Sequence, residues 1–183
     1  MAEESKFVEK AHDAAKQVLQ PPLSIQRGPA LLYEVTVDNN LSLTVDPKHP
    51  VRGDSAFQTD LCVFEAKADD IVIPRVVLEF KTTITTHDVL TYSAKARKHK
   101  QVYPYLRYGL VVSNEPVVPR RFFIHNESLD FFAALKNTND SELRDFFSRL
   151  LKAEVETSKQ LERIAFGSFR PHLFRMEVTV DAI

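Results

Sequence analysis

Apolar and polar positions follow two periods along the chain, and the period changes at prolines and polar turns. Over residues 5–19 (SKFVEKAHDAAKQVL), Phe7, Ala11, Ala14, Ala15 and Val18 recur at helical spacing with charges between them, which predicts an amphipathic helix. Ser5 can cap its start, and Pro21-Pro22 stops it. The period then becomes two. Residues 31–37 and 41–45 (LLYEVTV and LSLTV) flank a turn-forming Asp38-Asn39-Asn40 and predict a hairpin. Residues 59–67 (TDLCVFEAK) and 71–81 (IVIPRVVLEFK) flank Ala68-Asp69-Asp70 and predict a second one. Pro74 cannot donate to a ladder, so it belongs near the beginning of its strand or on an exposed register.

A second helix is expected from Thr86 or His87 to about Tyr103, ended by Pro104. Residues 108–112 (YGLVV) are apolar without alternation, as a buried central strand requires. Residues 121–125 (RFFIH) read as another strand, residues 127–136 as a short helix, and residues from Ser141 onward as a long amphipathic helix with a Leu143, Phe146, Phe147, Leu150, Leu151, Val155 stripe. The tail after Gly167 ends in an expected strand. The order helix, strands, helix, strand predicts a mixed α/β (α+β) core with a central sheet flanked by helices, folded as one domain over 1–183. No repeat and no linker divides the chain.

Charge changes this picture locally. The 24 basic and 25 acidic side chains nearly cancel, which excludes a uniformly basic nucleic-acid coat and an acidic tail protein. Residues 95–121 nevertheless hold seven basic side chains against Glu115 alone, and a basic segment in an otherwise acidic chain marks a localised anion site. No apolar run reaches membrane-spanning length, and the charged MAEESKFVEK start lacks a secretory pattern. Cys62, the single cysteine, leaves no internal disulfide. A cytoplasmic, reduced protein is the expectation. The six histidines show no metal-ligand spacing, and four scattered glycines make no phosphate loop.

The chemistry-bearing residues lie on the second hairpin. Asp60 opens one strand; Glu79 and Lys81 end its partner, two positions apart and so on one face, with Phe80 on the other. Charges at the end of an apolar strand (Val76-Val77-Leu78) are costly unless paired or liganded. Asp60, Glu79 and the main-chain carbonyl of Phe80 offer three oxygens to a hard cation such as Mg²⁺ or Mn²⁺. Lys81 can then orient and activate the attacking water at a phosphodiester.

Thr59-Asp60 followed by Glu79-Phe80-Lys81 resembles the PD-(D/E)XK nuclease superfamily, the fold of many type II restriction endonucleases and RecB-type nucleases. The resemblance spans about residues 5–125, with residues 127–183 as a helical extension, and implies a restriction-endonuclease-like αβββαβ core. Threonine stands at position 59, where the motif's name has proline. The resemblance implies a metal-dependent DNA nuclease in a restriction, repair or mobile-element system, acting as a homodimer or within a larger complex. It also implies a glutamine–tyrosine element, matched by Gln101 and Tyr105 around the helix-breaking Pro104, and an acid from the first helix, for which Glu9 is best placed. Lys95, Lys98 and Lys100 would contact phosphates. Three other readings stay open: a nucleic-acid-binding module that keeps the fold without cutting, a protein-interaction domain, and a salt-bridge cluster at Asp60, Glu79 and Lys81.

Overall fold

The computed structural model describes residues 2–68, 70–175 and 178–180. Eleven elements follow one another among them. They are α1 (Ala2–Val18), β1 (Leu23–Arg27), β2 (Ala30–Leu32), β3 (Ala56–Gln58), β4 (Leu61–Ala66), β5 (Val72–Lys81), α2 (Thr86–Val102), β6 (Arg107–Val112), α3 (Arg120–His125), β7 (Phe131–Ala134) and α4 (Asp140–Ala165).

Five strands form one mixed sheet in the order β1-β4-β5-β6-β7. The first two neighbour pairs are antiparallel, and β6 and β7 run parallel to β5. Period-two alternation sends each strand's side chains into two separate cores. Leu61, Val63, Val76, Leu78, Phe80 and Val111 face α1 and α4, where they meet Ala11, Ala15, Phe147 and Leu151. Cys62, Phe64, Val77, Tyr108, Leu110 and Val112 face α2 and α3, where they meet Val89, Tyr92, Ala96 and Phe122. Helices therefore cover both faces of the sheet, and its inner strands are mostly apolar because neither face meets water, with Glu65, Arg75 and Glu79 as the buried charged exceptions. Residues beyond 125 complete the same core, since β7 is the fifth strand and α4 supplies most of one helical layer.

Local chemistry sets the boundaries. Thr85 and Asp88 make a reciprocal capping box at the start of α2, and Asn139 with Glu142 makes another on α4. Pro74 pairs with Phe64 beside a register shift and precedes Val76, the first residue of β5 that pairs with β6, so its missing N–H leaves no gap in that ladder. Gly109 in β6 is required by a neighbour: a Cβ there would stand 2.2 Å from the Phe131 ring.

Several expectations are corrected. The hairpin over 31–45 is reduced to one bridge, Val37 with Leu43; Ala30–Leu32 instead pairs with Ala56–Gln58 in a separate two-stranded sheet. Val35, Val37, Leu41 and Leu43 are exposed, so no buried face holds the longer ladder together. β1, unforeseen, provides the third antiparallel strand. Residues 120–125 are helical, following Pro119 as N-cap, and the segment read as a short helix contains β7. The expected C-terminal strand falls partly on residues outside the described ones; residues 178–180 carry no regular element, and Asp69 of the second turn is likewise outside. No helix among the described residues is long and apolar enough to cross a membrane.

Candidate active site

Glu79 stands near the C-terminal end of β5. Its side chain lies on the α2 face, two positions beyond Val77, and is only 2% exposed. The Tyr108 hydroxyl donates to its Oε1 at 2.5 Å, and Lys95 Nζ stands 3.9 Å from the same oxygen. Asp60, just ahead of β4, accepts the Phe80 N–H through Oδ2 at 2.8 Å. Main-chain bonding fixes that residue in turn, because the Gly28 N–H donates to the Asp60 carbonyl at 2.9 Å. Thr59, immediately before Asp60, is buried and donates twice to the Pro29 carbonyl, from its N–H and its hydroxyl.

The two carboxyls interact. Burial pushes Glu79 up to about 7; the charge of Asp60 and a hydrogen bond with it add to the rise, while Lys95 and the Tyr108 hydroxyl oppose it. Tyr92 of α2 lies over the same ground. Its hydroxyl is held well above the ordinary range by burial first, then by the charges of Glu79, Asp60, Glu4 and Asp88. Lys95 and Lys81 lie 5.1 and 5.9 Å from its ring centre. Lys81 also pairs with Glu4 of α1 at 3.5 Å.

Asp60, Glu79, Lys81 and Lys95 thus meet at one end of β5. Phe80 turns its ring to the opposite face, edge-on to Phe7 at 5.6 Å. Its N–H points to Asp60, and in a strand the carbonyl of the same residue leaves on the same side as that N–H. Glu9 is exposed on α1, and the α1 acid beside Lys81 is Glu4. Gln101 is exposed near the end of α2, about 9 Å along the helix from Lys95. Tyr105 is buried under the Arg75 guanidinium, 5.4 Å from its ring centre, at the far end of β5. That end holds a separate ion cluster: Arg75, fully buried, donates to Glu65, Glu162 and Ser158.

The three lysines of α2 also separate. Lys95 and Lys98 share a side, and Lys98 Nζ stands 5.0 Å from the Tyr33 ring centre. Lys100 pairs with Asp130 at 2.7 Å and donates to the Ser128 carbonyl at 2.6 Å. About 100° of rotation per residue puts position 100 roughly 140° from position 95. Sequence reasoning missed Tyr92 and Tyr108. Their signal was a hydroxyl-bearing ring inside each apolar stripe, Val89-Tyr92-Ala96 on α2 and Tyr108-Leu110-Val112 on β6.

Among the described residues no group of three or more His, Cys, Asp or Glu is arranged to hold a metal ion. The donor set that is present, two carboxylates and a main-chain carbonyl, fits Mg²⁺, which takes one or two protein carboxylates and completes its shell with water and phosphate. A buried carboxylate that resists ionisation beside a second one is the electrostatic counterpart of that fit. No protein-family model matches the chain, and no curated protein matches it.

Proposed function

We propose that the protein is a divalent-metal-dependent nuclease that hydrolyses DNA phosphodiesters in the cytoplasm. The observation that carries this reading is the pair Asp60 and Glu79 at the end of β5, with Lys81 two residues on. The connectivity supports it. Taking α1, β1, β4, β5, α2 and β6 in turn gives helix, three antiparallel strands, helix and a parallel strand, the order of the restriction-endonuclease-like core, with residues 28–58 inserted.

Asp60, Glu79 and the Phe80 carbonyl would hold Mg²⁺ or Mn²⁺, which supplies positive charge at the scissile phosphate and makes a nearby water more acidic. The chain's own groups do the rest. The Phe80 N–H fixes the rotamer of Asp60, and Tyr108 fixes Glu79. Lys81, partly exposed and tied to Glu4 only by a surface pair of small energy, is free to turn toward the attacking water. That water loses a proton to solvent as it adds to phosphorus, one P–O bond to the flanking sugar breaks, and the departing oxygen takes a proton from solvent. Lys95 and Lys98 meet the phosphates.

A second reading, a binding module that no longer cuts, has its own support: Lys95 and Lys81 already neutralise Glu79 and Glu4 without an ion. Calorimetric titration of Mn²⁺ at pH 8 separates the two. The nuclease reading expects saturable binding that Asp60→Asn abolishes, since an uncharged amide is a poor replacement for a carboxylate. Absence of binding in the wild type overturns it and leaves the binding module.

A further inference from the structure

We propose that a pocket beside the acid pair, walled by Tyr33 and Phe57, binds an unpaired nucleotide of the substrate strand. The base lies against the aromatic wall, and its phosphate meets Lys95 and Arg52. The identity of the ligand rests on the nuclease reading; the pocket itself does not.

The pocket has a volume of about 260 Å³ and is lined by Tyr33, Arg52, Gly53, Phe57, Gln58 and Lys95, with Ala56 beneath. That is smaller than the roughly 300–1,000 Å³ of pockets that enclose a whole drug-sized molecule, and so suits one unit of a longer ligand. Its wall is a stacked pair: the Tyr33 and Phe57 rings lie 4.0 Å apart at 19°, and both are only partly buried. Behind them His99 is fully buried and packs edge-on to Phe57 at 5.9 Å. Since its Nδ1 lies 2.9 Å from the Leu32 carbonyl, Nδ1 carries the proton, and Nε2 is left with no hydrogen-bond partner among the described residues.

The cationic groups converge here although their surroundings are acidic. Residues 28–58 carry Lys48 and Arg52 against Glu34, Asp38, Asp46 and Asp54. A duplex backbone tracking over such a surface is repelled, whereas one phosphate at the pocket meets Arg52 and Lys95, both of which line it. Arg52 donates to Gln58 Oε1 at 3.1 Å, which holds this exposed guanidinium at the rim. Gly53 beside it has φ +96°, and a Cβ there would meet nothing within 4 Å. Lys95 belongs to both places: it lines the pocket and stands 3.9 Å from Glu79. Aromatic faces bind bases by stacking, and a base offers its face only when it is single-stranded or turned out of the helix.

The test uses the whole chain in EDTA, so that nothing is cut. Single-stranded oligonucleotides carrying one 5-iodouracil are irradiated, and the modified peptide is identified by mass spectrometry; the expected sites are Tyr33 and Phe57. In parallel, Tyr33→Leu, which keeps apolar volume, should weaken single-strand binding at least five-fold and leave duplex binding within two-fold, on the scale of one stacked base. An oligonucleotide with abasic positions should show the same loss in the wild type and no further loss in the variant. Crosslinks elsewhere, or equal losses for single strand and duplex, overturn the subsite while leaving the nuclease reading in place. Failure of every oligonucleotide to bind overturns both.

Discussion

Glu79 keeps a carboxyl where water does not reach, and its proton affinity sets a pH dependence for the fold. Its folded value, about 7, stands above the 4.5 of an open chain. The folded state therefore holds this proton more tightly; the associated stability is complete below pH 4.5, declines as pH rises toward 7, and is gone above it. The span is worth about 3 kcal/mol at 1.36 kcal/mol per unit. His99 works in the opposite sense. Burial lowers it from 6.5 to about 4, so its contribution is lost as pH falls through that range, and the two effects cancel over much of it. The prediction is accordingly a difference: in urea unfolding, Glu79→Gln gains on the wild type progressively from pH 4.5 to 7 and holds the gain at pH 8. A constant difference would mean that Glu79 is not the group resisting ionisation. Mg²⁺ at pH 8 should close most of the gap, because it stabilises only the ionised wild-type site.

At the scale of the element, α2 divides its lysines between two jobs. Lys95 and Lys98 stand on the side of Tyr33, Tyr92 and Phe57; Lys100 is anchored to Asp130 and the Ser128 carbonyl. Replacing Lys95 and Lys98 with alanine should reduce the salt dependence of DNA affinity by about 0.9 per lost phosphate contact. Lys100→Ala should leave that slope unchanged and cost about 1.5–3 kcal/mol in chemical unfolding, the scale of hydrogen bonds to a charged group. A Lys100→Ala variant that folds as well as the wild type but binds DNA with a smaller salt slope would contradict this division. The sequence makes α2 legible from its start at Thr86 or His87 and the Pro104 that ends it, and the β4–β5 hairpin from its alternation; the Thr85–Asp88 capping box is added by the structure. It leaves α3 and β7 interchanged, for a reason: four to six apolar residues fit either geometry. What decides is Pro119 ahead of Arg120, and Gly109 of β6, whose missing side chain admits the Phe131 ring and seats β7. β1, five residues long, owes its place to the register it finds on β4. At the site, the trio of residues 60, 79 and 81 is legible because the hairpin spacing is local. Tyr108, Glu4 and the pairing of Lys95 with Glu79 come from other elements, and the spacing within the hairpin does not announce them.

At the scale of the molecule, three layers bury nearly all of the sheet, and the end of β5 is where charge accumulates on its α2 face. The opposite end of β5 is occupied by the Arg75 cluster, whose buried guanidinium is already matched by Glu65 and Glu162. At the Glu79 end the charge of Asp60 instead adds to the hold of Glu79 on its proton. The central claim, that this end is a catalytic metal site, is tested most directly by plasmid nicking in Mg²⁺ with wild type, Asp60→Asn and Lys81→Ala side by side. The account predicts cleavage by the wild type that EDTA stops, no cleavage by Asp60→Asn, and a 10²- to 10³-fold slower rate for Lys81→Ala with metal binding retained, roughly the loss expected on removing one positioned electrostatic group. A wild type that leaves the plasmid intact, or variants that nick as fast as the wild type, would contradict it.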